Sequence, residues 1–296
     1  MKSTYACASK SGGRRRESLD LGQFLASAGQ AQPVSARGRS PCRRLSSAAD
    51  RLPLHRPGRR PAFRAARRWP RRPRDADPGV EAANDLTFRA ARLLQDATGC
   101  RHGATLHLSK SLPLGGGLGG GSSDAATVLL ALNHLWQTGL SRTELCQLGL
   151  QLGADVPVFV HGRNTFAEGI GEAFSDVELP PETYLVLHPA VNVPTGAIFG
   201  APELRRDTPP IRPADWRHGA GRNDLEPVAC AKFPEVAGHL EWLRRRAPNA
   251  MMTGSGACVF AGFSDPDMAA AVFRQLPTGM AGWLAAGLTA HPLASL

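Results

Sequence analysis

The segment PLGGGLGGGSSDAA, residues 113–126, constrains this chain more than any other part of the sequence. Six of the seven residues from 115 to 121 are glycine, and two serines and an aspartate follow them. Glycine adopts positive φ readily and lets a ligand approach the backbone closely. Successive N–H groups of such a loop form an anion-binding concavity, and a helix that begins at the serines adds its own N–H groups and positive dipole end. The segment therefore predicts a loop that binds a nucleotide polyphosphate.

Two better-known phosphate motifs differ from this loop. Glycines 115, 117 and 120 match G-x-G-x-x-G, but a dinucleotide site also requires an acidic residue about 20 residues further on. The corresponding stretch ALNHLWQTG, residues 131–139, contains none. A Walker A loop requires Gly-Lys-Ser/Thr, and no lysine directly follows these glycines. A flexible glycine linker is disfavoured because an amphipathic helix pattern follows at once.

The sequence around the loop mixes strand and helix patterns without an internal repeat. Alternation predicts a strand at Thr105–Ser109, and apolar residues at helical spacing predict a helix directly after the loop. Ser141 and Glu144 form a capping box at the start of a following helix. Further strands are predicted at 184–188 and 258–263, and further helices at 235–245 and 265–276.

Length and composition exclude several classes of protein. The 296 residues allow one large or two modest domains. No apolar run approaches the 18 or so residues of a membrane span. The six cysteines show no C-x-x-C pairing, which indicates free thiols in a reducing compartment and predicts a cytoplasmic protein.

Five segments in order resemble the GHMP kinase superfamily and, within it, the 4-diphosphocytidyl-2-C-methyl-D-erythritol kinase family. They are KSLPLGGGLGGGSSDAATVLLALNHLW (110–136), LGLQLGADVPVFVHGRNTFAEGIGE (148–172), HPAVNVPTGAIF (188–199), RNDLEPVA (222–229) and MTGSGACVF (252–260). The resemblance covers about residues 78–296. It implies an α+β fold of two lobes with the active site in the cleft between them. The rest of an ATP-binding lobe would occupy 78–165 and a substrate-binding lobe 166–296.

The resemblance also implies an activity, which is transfer of the ATP γ-phosphate to the 2-hydroxyl of the substrate's methylerythritol moiety. Its substrate is a small cytidine diphosphate derivative, with no membrane or nucleic-acid partner, and Mg²⁺ accompanies ATP. Ser122 or Ser123 would meet phosphate or Mg²⁺, and no metal-ligating set is assigned. The residues that would bind ATP are Pro113, Leu114, Gly115, Gly116, Gly117, Leu118, Gly119, Gly120, Gly121, Ser122 and Ser123.

Further residues acquire roles from the same resemblance. Asp155 aligns with the catalytic aspartate, which accepts or orients the hydroxyl proton; without that alignment it would be read as a helix N-cap or a buried turn carboxylate. Phe199 aligns with an aromatic residue that stacks on cytosine, the alternative being a core side chain. Thr253, Gly254, Ser255 and Gly256 match a third motif, a second glycine turn near the first. Asn223 and Asp224 are expected in a turn or structural network.

The first eighty residues depart from the family pattern. They carry 19 Lys and Arg against 5 Asp and Glu, a net charge of +14, although the whole chain carries +10. They lack hydrophobic periodicity, so residues 1–77 are predicted to be a basic, disordered segment. Such an arm suits nucleic-acid or anionic-lipid binding, and an Arg-rich transit peptide is an alternative.

A third interpretation is a reading-frame error over about residues 25–75. The family's first motif, P-A-K-L-N-L, carries a lysine beside the catalytic aspartate, and this chain lacks it. Codons allowed for residues 25–36, read one base later, yield WPAPAKLNLFL. The same shift permits family-like sequences from residues 38–50 and 49–63. The chain as written would then lack the motif lysine and edge strands of its first sheet, fold poorly at its N-terminus and be inactive.

The sequence leaves two alternative functions open. The chain could be another small-molecule kinase of the superfamily, or a nucleic-acid-binding protein that uses the basic N-terminal arm.

Overall fold

A computed structural model of the chain describes residues 2–5, 44–46, 84–104, 106–109, 112–113, 115–209, 211, 221–288, 290–291 and 293. Leu114, one of the predicted ATP-binding residues, lies outside these residues. So does the segment 1–77 apart from residues 2–5 and 44–46, so its predicted disorder is addressed at those residues alone. None of the described helices has the length and apolar character needed to cross a membrane.

Eight helices and nine strands are described. The helices are α1 (Leu86–Thr98), α2 (Gly120–Trp136), α3 (Arg142–Leu152), α4 (Val156–His161), α5 (Thr195–Phe199), α6 (Glu226–Lys232), α7 (Pro234–Arg244) and α8 (Pro266–Phe273). The strands are β1 (Lys2–Tyr5), β2 (Arg44–Ser46), β3 (Leu106–Ser109), β4 (Thr165–Glu168), β5 (Ala173–Asp176), β6 (Thr183–His188), β7 (Met251–Met252), β8 (Val259–Phe263) and β9 (Ala281–Ala286). The predicted helices and strands all form, with shifts of a few residues at their ends.

The first hydrophobic core is formed by the four helices α1, α2, α3 and α4 together with β3. Its fully buried side chains include Leu94, Leu129, Leu145 and Phe159, one from each helix. Helix α3 begins at the predicted capping box, in which Glu144 N–H donates to the Ser141 hydroxyl and Ser141 N–H donates to the Glu144 carboxylate. This reciprocal cap satisfies two backbone donors that the first turn of a helix otherwise leaves unpaired.

The second core forms on an antiparallel sheet of four strands in the order β7-β8-β6-β9. Helices α5, α7 and α8 contribute Ile198, Leu240 and Val272 to it, and the sheet contributes Leu185 and Val259. Strand β6 lies in the interior of the sheet, and its middle residues are all buried. A strand covered on both faces reads as a continuous apolar run, which is why YLVLH was identifiable from the sequence.

Two short strands come from the basic N-terminal segment, where no regular structure was expected. Strand β1 pairs antiparallel with β3, and β2 pairs antiparallel with β4, which in turn pairs with β5. Strand pairing uses backbone groups that every non-proline residue carries. It therefore does not require the hydrophobic periodicity that the segment lacks. The expectation that edge strands from this segment would be missing was wrong for β3 and β4, which pair with β1 and β2 in two separate sheets.

The end of the chain returns to the first core. Leu293 is buried there, and His291 N–H donates to the Gly162 carbonyl. Arg142 donates to the carbonyls of Val160, at 2.7 Å, and Leu293, at 3.3 Å. Burial lowers the pKa of the His291 imidazole to about 4, so the imidazole is uncharged at physiological pH. The division of the chain near residue 165 stays a prediction, although the C-terminal residues contact the first core.

Candidate active site

The glycine loop, defined as Pro113–Ser123, runs into the first turn of α2. The helix begins at Gly120, two residues before the serines at which the sequence placed its start, and Gly119 caps it in the left-handed conformation at φ 69°. Ser123 N–H donates to the Gly119 carbonyl. Helix geometry therefore leaves the N–H groups of Gly120, Gly121 and Ser122 without an intrahelical acceptor. A glycine cap has no side chain to occupy these donors, so they stay available to an anion.

The glycine loop is bound to a second motif far away in sequence. This glycine turn, Thr253–Gly256, follows β7 and leads into β8. The Thr253 hydroxyl donates to the Gly116 carbonyl at 2.9 Å. Just beyond the turn, the N–H groups of Ala257 and Cys258 donate to the carbonyls of Gly115 and Gly116. The two glycine motifs that the sequence placed near each other are thus in direct contact.

Close packing of the two backbones requires glycine on both sides. A Cβ at Gly117, where φ is 72°, would lie 2.5 Å from the Thr253 carbonyl oxygen. A Cβ at Gly254 would lie 2.9 Å from the Gly117 carbonyl oxygen. Real Cβ atoms do not approach backbone oxygens so closely. These glycines are therefore required for contact within the protein, in addition to any approach of a ligand.

Leu118, the one non-glycine residue within 115–121, anchors the loop. Its side chain is buried in a small cluster with Tyr184, Val186, Cys258 and Phe260 of the four-stranded sheet. Burial of a leucine contributes roughly 1.5–3 kcal/mol, so this contact offsets part of the conformational entropy of the glycines. Burial also raises the pKa of the Cys258 thiol to about 12, which keeps it protonated and excludes it as a nucleophile.

The two serines after the loop occupy different environments. Ser123 is buried, with 2 % of its surface exposed, whereas Ser122 is half-buried. Ser122 also carries one of the N–H groups that the first turn of α2 leaves open. Of the two residues predicted to meet phosphate or Mg²⁺, Ser122 is therefore the better placed. Pro113, at the start of the loop, is half-buried.

Asp155 lies at the N-cap position of α4. Its side chain makes no capping hydrogen bond, so the alternative reading of Asp155 as a helix cap is not supported by the geometry. Phe159, one turn further along α4, lies against Gly119, where an added Cβ would be 2.9 Å from the Phe159 ring. Asp155 itself is half-buried. These contacts bring the helix that carries Asp155 to the cap of α2.

Phe199 is the last residue of α5, a helix that is tied to the glycine turn. The hydroxyls of Thr195 and Ser255 are 2.9 Å apart, within hydrogen-bonding distance. Phe199 itself is half-buried and packs against the second core, and its carbonyl accepts from Arg206. The structure thus supports a core role for Phe199 and leaves stacking on a base as a prediction.

Exchanging Gly119 for alanine tests the cap of α2. Gly119→Ala is expected to lower the free energy of unfolding by about 1–2 kcal/mol, because an L-residue is strained at positive φ, and to weaken ATP binding by displacing Phe159. Gly139→Ala is the matched control, since Gly139 lies outside the glycine loop, also has a positive φ of 73°, and its Cβ would meet nothing within 4 Å. Thermal unfolding and calorimetric ATP titration compare the two. Equal ATP affinity in both variants would remove Gly119 from the site.

Family models match both halves of the chain. The model described as the GHMP kinases N terminal domain matches residues 85–163, and that described as GHMP kinases C terminal matches residues 204–282. The first match contains the glycine loop and Asp155, and the second contains the glycine turn. The elements that the structure brings together thus belong to both matched domains.

Relatives of known name match most of the chain. A 4-diphosphocytidyl-2-C-methyl-D-erythritol kinase of Dechloromonas aromatica (strain RCB) is 71% identical over 219 residues, 74% of this chain and 80% of that protein. One of Azoarcus sp. (strain BH72) is 56% identical over 218 residues, 74% of this chain and 77% of that protein. A crystal structure of 4-(cytidine 5'-diphospho)-2C-methyl-D-erythritol kinase superimposes with a TM-score of 0.68 at 29% identity, covering 88% of this chain and 97% of the other.

Proposed function

This chain belongs to the 4-diphosphocytidyl-2-C-methyl-D-erythritol kinase family of GHMP kinases, and from that premise we propose its reaction. The chain is a small-molecule kinase that transfers the ATP γ-phosphate to the 2-hydroxyl of 4-diphosphocytidyl-2-C-methyl-D-erythritol, a step of isoprenoid precursor biosynthesis. The observation that carries the proposal is the glycine loop, which leads into α2 and is hydrogen-bonded to the glycine turn. The family-like segments on both sides of this contact support it.

ATP binds with its phosphates at the start of α2. The open N–H groups of Gly120, Gly121 and Ser122 donate to phosphate oxygens, and the helix dipole adds a positive end. The carbonyls of Gly115 and Gly116 are bound by the glycine turn and its following residues. This matters because a carbonyl oxygen directed at a phosphate would repel it.

Mg²⁺ accompanies the nucleotide in this proposal. Mg²⁺ is usually held through one or two protein ligands together with substrate phosphates. The Ser122 hydroxyl, half-buried beside the open N–H groups, is the protein oxygen that fits as a ligand. The ion would neutralise charge on the transferring phosphoryl group.

Asp155 accepts or orients the proton of the attacking hydroxyl. The half-buried Asp155 carboxylate lies at the N-cap position of α4, the helix that packs on the cap of α2. General-base assistance of this kind contributes about 10²–10⁴ to turnover. Phosphoryl transfer otherwise depends on positioning and charge stabilisation, which the two glycine motifs supply.

The cytidine end of the substrate is proposed to lie near α5. Phe199 ends this helix, and the Thr195–Ser255 contact fixes α5 against the glycine turn. Stacking of cytosine on Phe199 would contribute about 1–3 kcal/mol, the range found for bases on aromatic side chains.

We place the protein in the cytoplasm because Cys100, Cys146, Cys230 and Cys258 are free thiols, as is usual in a reducing compartment.

The missing first motif limits the turnover of the chain as written. The relative from Dechloromonas matches 219 residues, 74% of this chain, so the rest of the chain lies outside that match. We propose that residues 25–75 are translated out of frame, so that the lysine expected beside Asp155 is lost. Loss of such a cation removes charge stabilisation from the transferring phosphoryl group.

Binding and turnover are expected to separate in this chain. Because the glycine loop and the glycine turn are formed, the chain should bind MgATP in a calorimetric titration. ADP release with 4-diphosphocytidyl-2-C-methyl-D-erythritol should stay near background. Mevalonate and homoserine serve as control acceptors, and preference for either would contradict the substrate. Absence of MgATP binding, or steeply salt-dependent binding to arbitrary DNA, would contradict the kinase assignment.

A further inference from the structure

Asn223 uses its whole side-chain amide on backbone partners. Its Nδ2 donates to the Met252 carbonyl at 2.9 Å and to the Gly254 carbonyl at 2.7 Å. Its Oδ1 accepts from Leu225 N–H at 3.0 Å. The residue has 5 % of its surface exposed. A buried amide that is satisfied on both its donor and acceptor sides is held in one orientation and holds its partners in turn.

The residues that Asn223 holds are the two neighbours of Thr253. Thr253 lies between the bound carbonyls of Met252 and Gly254, and its hydroxyl donates to the Gly116 carbonyl. Asn223 is therefore connected to the glycine loop by its hydrogen bonds to the turn, by the turn backbone at Thr253 and by the Thr253 hydroxyl bond to Gly116. Asn223 itself has no hydrogen bond with the loop among the described contacts, so any effect on the loop passes through Thr253.

The glycine loop depends on external support because its own residues lack side chains. Glycine loses more conformational entropy on folding than any other residue. Three donors, from the turn and from the two residues that follow it, bind the carbonyls of Gly115 and Gly116. Without the Asn223 bonds, the Met252 and Gly254 carbonyls would be left unpaired, Met252 being fully buried. Such groups cost about 1–3 kcal/mol each, which the turn relieves by moving.

We propose that Asn223 is a positioning residue for nucleotide binding, acting through the glycine turn to hold the loop carbonyls away from the phosphates. The inference rests on the proposed function in taking ATP as the ligand. It adds a residue that lies outside the glycine loop, the glycine turn and the segment around Asp155. Asn223 needs no contact with ATP to act in this way.

Two variants of the full chain separate the bonds that Asn223 makes. Asn223→Ala removes them all, whereas Asn223→Asp keeps the acceptor for Leu225 N–H and removes the two donor bonds to the turn. Asn133→Ala is the matched control, because Asn133 also bonds to backbone on both sides, through Leu140 N–H and the Leu140 carbonyl. Asn133 lies near the other end of α2, roughly 20 Å from the loop at 1.5 Å per residue.

Amide hydrogen exchange and MgATP titration are the two measurements. Both Asn223 variants should speed exchange in peptides covering 115–119 and 251–258, leave α1 unchanged, and weaken MgATP binding at least about tenfold, as loss of roughly 1.4 kcal/mol does. Asn133→Ala should change neither glycine segment and leave affinity within about twofold, since distant sites act independently.

The possible outcomes distinguish the inference from the proposed function. Unchanged exchange and affinity in the Asn223 variants, while the unsubstituted chain binds MgATP, would overturn the inference alone. Equal losses in Asn133→Ala would also overturn it, because they would reflect general destabilisation. Failure of the unsubstituted chain to bind MgATP would instead overturn the proposed function and the nucleotide role of Asn223 with it.

Discussion

Replacing Asp155 by asparagine in a frame-restored chain is expected to lower turnover by about 10²–10⁴ and to leave MgATP affinity nearly unchanged. Asparagine has the same shape but does not accept the hydroxyl proton. The Asp155 side chain makes no capping hydrogen bond at α4, so the substitution should have little effect on the stability of that helix. Steady-state ADP release and calorimetric nucleotide titration measure the two quantities separately.

Asp265→Asn provides the control for this prediction. Asp265 is the N-cap of α8, and its carboxylate accepts from Asp267 N–H at 2.8 Å. Asparagine caps helices as well as aspartate does, so this variant should keep stability and turnover. Turnover near the unsubstituted level in Asp155→Asn would remove Asp155 from the chemistry. A loss confined to MgATP affinity would instead assign it to nucleotide binding.

Restoring the alternative frame over residues 25–75 is expected to raise turnover by about 10²–10³, the range attributed to one charge-stabilising group. The restored segment contains P-A-K-L-N-L, and its lysine would place a cation beside Asp155. The strand carrying this motif should also add an edge strand beside the first core. ADP release by the restored chain is compared with release by the chain as written under the same conditions.

The coding DNA decides whether this restoration is the natural sequence. One insertion or deletion is expected upstream of about Leu25 and a compensating one near residues 75–78. The codons of Gln30 and Ala31 must supply AAG across their boundary, or the frame proposal fails. A restored chain in which that lysine is changed to methionine is the control. It should regain the fold without the turnover, and turnover equal to the restored chain would contradict the role of the lysine.

Local signals explain which elements were predictable. The capping box at Ser141 and Glu144, the buried run of β6 and the helical spacing after the glycine loop each depend on residues within a few positions of one another. Beyond the N-terminal segment, the sequence analysis did not predict helices α1, α4, α5 and α6 or strands β4, β5, β7 and β9, and all of these except α1 have 2 to 7 residues. Such short segments carry too little periodicity, and packing on their neighbours decides their conformation.

The start of α2 shows a finer difference. The serines are good capping residues, which is why the sequence placed the helix start there. The structure caps the helix with Gly119 instead, in a left-handed conformation that glycine adopts readily. Gly120 and Gly121 of the glycine loop thereby become part of the helix, and their N–H groups become open donors. Contact of Phe159 with Gly119 favours this arrangement, and no local pattern reports that contact.

The family, the glycine loop and the position of Asp155 follow from the sequence, because each depends on residue types in a short and specific order. The direction of the loop carbonyls does not follow from it. Gly116 and Thr253 are 137 positions apart, and Asn223 reaches the same turn from a third segment. Hydrogen bonds between such distant segments form once the two cores have brought them together. Tertiary packing therefore decides whether the loop presents N–H groups or carbonyl oxygens to a phosphate.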